Sequence, residues 1–128
     1  MDSIVECVPN ISEGRDIAKI ERIVDAARNI VGCAVLGVEP DKDYNRTVIT
    51  IAGEPQSVQQ AAHELILKAI EEIDMTAHSG EHPRLGAVDV CPFVPLEGVT
   101  MDECVELARS LAERVASSAQ VPVFVYGE

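Results

Sequence analysis

A chain of 128 residues can form one domain with a sizeable core but not two ordinary ones, so residues 1–128 are read as a single unit. Apolar residues at 47% and a mean hydropathy of +0.11 exclude a disordered chain. Ten basic against 22 acidic residues give a formal charge of -12, a field that repels phosphate backbones and anionic membranes and so argues against nucleic-acid or membrane partners. Only Tyr44, Phe93, Phe124 and Tyr126 are aromatic, too few for a base-stacking surface. No stretch approaches the ~20 apolar residues of a membrane span. The amino terminus lacks a basic region followed by an apolar run, so the expected location is cytoplasmic.

In chain order, Ser3 to Val8 alternates as a strand does, and the polar turn Pro9 to Arg15 follows. Ile17, Ile20, Ile23, Val24, Ala27 and Ile30 recur at three- and four-residue steps, predicting an amphipathic helix from about Asp16 that Gly32 stops. Cys33 to Val38 is apolar enough for a strand buried on both faces, and Glu39 to Asn45 is rich in turn formers. Arg46 to Ile51 alternates as a hairpin arm. A second helix starts near Pro55 and carries Val58, Ala61, Ala62, Leu65, Ala69, Ile70 and Ile73 inward. Glu64 and Lys68 are spaced to pair on its outer face, and His63 is expected in solvent.

The segment His78-Ser79-Gly80-Glu81-His82-Pro83-Arg84-Leu85-Gly86 holds two of the three histidines. Gly80 and Pro83 oppose a helix there, so it reads as a polar loop leading into a strand from Ala87 to Val94, with Pro92 and Pro95 marking an early end or an edge. Thr100-Met101-Asp102-Glu103 has the spacing of a capping box, opening a third helix through Cys104, Leu107, Ala108, Leu111 and Val115. Val121 to Tyr126 closes the chain as a strand. The order βαββαβ followed by a further αβ predicts an α+β, ferredoxin-like fold: a mostly antiparallel sheet with helices on one face.

The loop carries imidazole, carboxylate and guanidinium groups against a rigid strand, which makes it the first candidate for chemistry. A metal site built on His78, His82 and an acidic residue is the weaker reading. Such a site needs three or four ligands in fixed geometry, and no helical His pair or spaced carboxylate is present. Cys7, Cys33, Cys91 and Cys104 show no C-x-x-C spacing and fall in predicted strands and a helix, as buried thiols do.

Three blocks carry a resemblance. Glu6-Cys7-Val8-Pro9-Asn10-Ile11-Ser12-Glu13-Gly14-Arg15, Asn45-Arg46-Thr47-Val48 and Gly80-Glu81-His82-Pro83-Arg84-Leu85-Gly86-Ala87-Val88-Asp89-Val90-Cys91-Pro92-Phe93 resemble, in that order, the amino-terminal subdomain of glutamate formiminotransferases. The resemblance spans essentially the whole chain. It implies transfer of a formimino group between N-formiminoglutamate and tetrahydrofolate, the latter a co-substrate, with no metal, in histidine breakdown. It also implies a second catalytic subdomain, absent here, with folate in the groove between the two, and a last strand exchanged between neighbours. A cyclodeaminase unit accompanies some members.

By the same resemblance His82 is the catalytic histidine. The chemistry agrees: attack of a folate amine on an amidine carbon requires one nitrogen to lose a proton and another to gain one, and imidazole serves both steps. Glu39 stands where the family carries an acidic residue; it either orients the imidazole or holds the amidinium, and its bland reading is a solvated turn carboxylate. Arg84 and Arg46 are expected to meet substrate carboxylates, although Arg46 is equally suited to an ion pair with Glu39 or Asp43. Asn10 and Asn45 either donate to substrate or bond their own backbone. Asp89 either pairs with an Arg or lines the groove, and His78 stabilises the loop. A homodimer is expected, since an edge strand without its neighbour invites pairing. The alternative function is a small-molecule-binding or assembly module of the same fold without turnover.

Overall fold

The computed structural model describes residues 3–73, 88–89 and 93–119, with 88–89 described by backbone alone. The His78–Gly86 loop, including His82 and Arg84, lies outside the described residues, as do Cys91 and the predicted strand Val121 to Tyr126. The described elements are strands β1 (Ile4–Cys7) and β2 (Asn10–Ile11), helix α1 (Ile17–Arg28), strands β3 (Cys33–Asp41) and β4 (Arg46–Gly53), helix α2 (Pro55–Glu72), strands β5 (Val88–Asp89) and β6 (Val94–Glu97), and helix α3 (Met101–Ala119).

Pro9 splits the first strand in two. β1 and β2 nevertheless lie along the same partner: Cys7 is opposite Ile51 and Asn10 opposite Val48, while the Pro9 carbonyl accepts the Ile49 amide at 3.0 Å. β6 and β5 flank them on the other side, and β3 pairs with β4. Every pairing is antiparallel, and the sheet runs β3, β4, β1 with β2, then β6 with β5. That is the ferredoxin-like order, reached because each β-α-β crossover leaves room for one strand between its two.

Period-2 burial decides which face is covered. Val5, Cys7, Ile11, Thr47, Ile49 and Ile51 are buried, whereas Glu6, Asn10, Val48 and Thr50 between them are not. The buried set meets Ile20, Ile23, Val24 and Ala27 of α1 and Val58, Ala62, Leu65 and Ala69 of α2. Each large member contributes about 1.5–3 kcal/mol by leaving water. Helix α2 is packed between α1 and α3, and α3 adds Cys104, Leu107, Ala108, Leu111 and Val115 to the same core.

The helix ends follow the sequence signals. Asp16 Oδ1 accepts the Lys19 amide at 3.1 Å, Pro55 occupies the first turn of α2, and Gly32 has φ +100. At α3, Thr100 Oγ1 accepts the Glu103 amide at 3.1 Å and Glu103 Oε1 accepts the Thr100 amide at 2.8 Å, the reciprocal pair of a capping box.

Several expectations are corrected. β3 continues through Glu39 and Pro40 to Asp41, leaving only residues 42–45 for the turn. A strand paired on one side tolerates Pro40, and Asp41 Oδ1 starts the turn by accepting the amides of Asp43 at 3.0 Å and Tyr44 at 3.3 Å. Nor is β3 buried on both faces. Among the described residues it pairs only with β4, and a bulge that inserts Leu36 between the pairs Val35–Ile51 and Gly37–Thr50 leaves that residue 65% exposed. Ile17, on the margin of the α1 stripe, is 55% exposed.

On α2, Lys68 pairs with Glu71 at 3.6 Å and Glu72 at 3.4 Å, not with Glu64, which accepts from Gln60 at 2.7 Å. His63 is only 7% exposed. The flank that looks polar by periodicity is covered by α3, which a single-helix pattern does not register.

Candidate functional site

With α1 and α2 on one face, the strand positions that alternate with the core-facing residues share the other. One cross-strand row collects the candidates. Glu39 is opposite Val48, Val48 opposite Asn10, and Asn10 opposite Asp89. Val38, Ile49 and Ile11 pack toward the core, so the intervening Glu39, Val48 and Asn10 side chains lie on the face away from the helices. Two strand spacings separate Glu39 from Asn10, about 10 Å, and Val48 gives the row an apolar floor. Asp89 enters by its backbone register. Arg46, opposite Asp41, is exposed on the same face one pleat beyond Val48.

Glu6 also belongs to this face, half-buried and in register with Ala52 and Val94. Sequence reasoning passed over it. The alternation of Ser3 to Val8 was the signal, because it sets Glu6 opposite in facing to Val5 and Cys7.

The hairpin beside this row is tied down by a loop that sequence reasoning left as a plain turn. Asn45 has φ 53, in the left-handed region, and its Oδ1 accepts the Gly14 amide at 2.9 Å. Thr47 Oγ1 donates to the Glu13 carbonyl, and Arg15 Nε donates to the Lys42 carbonyl at 2.8 Å. A Cβ on Gly14 would stand 2.5 Å from both the Arg46 nitrogen and the Asp41 oxygen, so only glycine allows the approach. Glu13, 6% exposed, accepts the amides of Arg15 at 3.1 Å and Asp16 at 3.0 Å and stands 3.8 Å from Lys19 Nζ. A buried carboxylate needs such donors, and here they fix the path from β2 into α1.

The first two sequence blocks, residues 6–15 and 45–48, are thus one clasp in space. Asn45 gives an acceptor position of its oxygen to the Gly14 amide and so serves the backbone here. The His82 and Arg84 assignments fall outside the described residues.

Burial pushes the Cys33 thiol up, and burial together with the Glu103 charge does the same to Cys104, so neither is a ready thiolate. Among the described residues, no group of three or more His, Cys, Asp and Glu side chains is arranged to hold a metal ion, and no helix is long and apolar enough to cross a membrane.

Residues 4–128 match the family described as the formiminotransferase domain, N-terminal subdomain. The chain is 48% identical over 126 residues to glutamate formimidoyltransferase of Streptococcus pyogenes serotype M1, covering 98% of this chain and 42% of the relative. It is 49% identical over 126 residues to the glutamate formimidoyltransferase of Thermoplasma acidophilum, with the same coverage. Against the formimidoyltransferase-cyclodeaminase of Sus scrofa the identity is 48% over 128 residues, 100% of this chain and 24% of the relative. The chain therefore spans less than half the length of these relatives.

Proposed function

Because the chain belongs to the formiminotransferase family, as its N-terminal subdomain, we propose that it forms one wall of a glutamate formimidoyltransferase site, moving a formimino group between N-formiminoglutamate and tetrahydrofolate. The observation that carries this reading is the backbone row Glu39, Val48, Asn10, Asp89 across the sheet, whose Glu39, Val48 and Asn10 side chains lie on the face away from α1 and α2, taken with relatives that bear the activity in their names.

In this reading His82 moves the proton. The folate N5 attacks the amidine carbon, His82 takes the proton that N5 must shed, and it returns one to the departing glutamate nitrogen. Glu39 holds the positive charge of the amidinium or orients the imidazole, and the low dielectric of a closed groove would strengthen either contact. Arg84 and Arg46 take substrate carboxylates, Asn10 donates an amide hydrogen bond, and Asn45 contributes chiefly by holding the hairpin. A second subdomain supplies the opposite wall, and the assembly is a cytoplasmic homodimer. No metal takes part.

The test compares formimino transfer by this chain with that of a version extended to the length of the relatives, each with and without His82→Ala. Transfer by the extended wild type alone supports a half-site that needs its partner wall. An extended, folded His82→Ala protein with normal turnover would remove His82 from the mechanism. No transfer by either folded wild type would favour a binding module.

A further inference from the structure

The seam between α2 and α3 holds polar chemistry on the helical side of the sheet, away from the face just described. Ser110, Arg114 and Ser118 follow one another at four-residue steps on α3, opposite Gln59, Gln60 and His63 of α2. Arg114 donates to Gln59 Oε1 at 3.1 Å and Gln60 Oε1 at 2.7 Å, and Gln59 Nε2 donates to the Leu107 carbonyl at 3.0 Å. The buried His63 lies with Nε2 3.1 Å from Ser118 Oγ and Nδ1 3.2 Å from Glu64 Oε2.

One neutral tautomer satisfies both partners. An ionised carboxylate only accepts, so Nδ1 of the neutral ring carries the proton and donates it to Glu64. Nε2 is left as an acceptor, and the Ser118 hydroxyl donates to it. A hydroxyl bonded to an imidazole that a carboxylate orients is the arrangement of an activated serine. Beside it opens a cavity of about 350 Å³ lined by His63, Ser110, Glu113, Arg114, Ser117 and Ser118. Ser118 is exposed to it, as a nucleophile must be.

We propose that Ser118 is a nucleophile for small neutral acyl esters, with His63 as its general base and Glu64 as the residue that orients His63. Ser118 Oγ bonds to the ester carbonyl carbon while its proton passes to His63 Nε2. The tetrahedral centre then expels the alkoxide, which leaves as an alcohol with that proton. Water, deprotonated by the same nitrogen, hydrolyses the acyl-serine to a carboxylic acid and restores the hydroxyl. Arg114, one turn before Ser118 and lining the same cavity, keeps N–H groups beyond the two it gives to Gln59 and Gln60, and these are the donors available to a developing oxyanion in place of backbone amides. The Glu113 carboxylate and the cavity size favour short, uncharged acyl groups.

The test treats the protein with a fluorophosphonate probe, maps the modified peptide by mass spectrometry, and follows hydrolysis of p-nitrophenyl acetate. The expected adduct is on Ser118, absent in Ser118→Ala, with labelling and ester hydrolysis at least about tenfold slower in His63→Gln. Glu64→Gln leaves the buried imidazole in place and is expected to slow labelling as well, so it decides the matter if His63→Gln does not fold. An unlabelled Ser118, or labelling as fast in both variants as in the parent, would overturn the assignment.

Discussion

The side-chain oxygen of Asn45 accepts the backbone amide of Gly14 at 2.9 Å, joining the loop before α1 to the turn between β3 and β4. Asn45 also holds φ 53 to do so, so one residue meets both a conformational and a hydrogen-bonding demand. Asn45→Ala loses both and is expected to destabilise by about 1–3 kcal/mol. Asn45→Gly keeps the backbone and loses only the acceptor, so its loss should be smaller. Urea denaturation of the two variants checks the order, and equal losses would mean that the backbone angle contributes nothing.

Gly14→Ala tests the other half of the clasp. Its methyl group would stand 2.5 Å from two backbone atoms of the hairpin, which have no flexible end to yield. The expected cost is at least about 2 kcal/mol, read as a lower denaturation midpoint at unchanged slope.

The α3 cap offers a cleaner number. Thr100→Ala removes the hydroxyl that accepts the Glu103 amide while exposed surroundings stay unchanged. A loss of about 1 kcal/mol is expected, and an unaltered thermal midpoint would count against the cap.

Acid stability carries a signature of the Arg22–Glu72 pair, whose atoms are 3.0 Å apart. The hydrogen bond from Arg22, then Lys68 and the charges of both, hold the Glu72 carboxyl below its ordinary value despite some desolvation. A depressed carboxylate contributes stability that is present above the unfolded pKa, roughly 4.3, and is lost as pH falls through the lower folded value. Arg22→Gln should therefore lower the denaturation midpoint at pH 7 more than at a pH below that window. Equal shifts at both would show that the pair has no linkage to protons.

On the sheet face away from α1 and α2, Glu39→Gln keeps shape and removes charge. In the extended protein it is expected to reduce formimino transfer at least about tenfold with the folding transition unmoved, because Glu39 is an exposed edge residue. Full activity would return Glu39 to the role of a solvated carboxylate.

Much of the architecture was legible because its signals are local. Asp16, Pro55 and the Thr100–Glu103 box mark their helices within a residue or two, and Thr47, Ile49 and Ile51 declare their facing by alternation. What escaped depends on neighbours distant in sequence. His63 is buried by α3, whose Ser118 lies 55 residues downstream, and Glu39 joins a strand because β4 extends the ladder past Pro40. In the site, Asn10 was found in a matching block and Glu39 at a position where the family carries an acidic residue, but their common row exists only through Val48, a residue with no chemistry of its own.

The inserted Leu36 also bears on how the protein behaves when concentrated. An unpaired rim of backbone amides and carbonyls is a template on which a second molecule can stack into growing fibrils. The extra residue breaks the even spacing that such stacking copies, and Pro40 removes one donor further along. With Glu39 and Asp41 adding like charges along it, the side of β3 that carries no partner among the described residues opposes edge-to-edge stacking during refolding and storage.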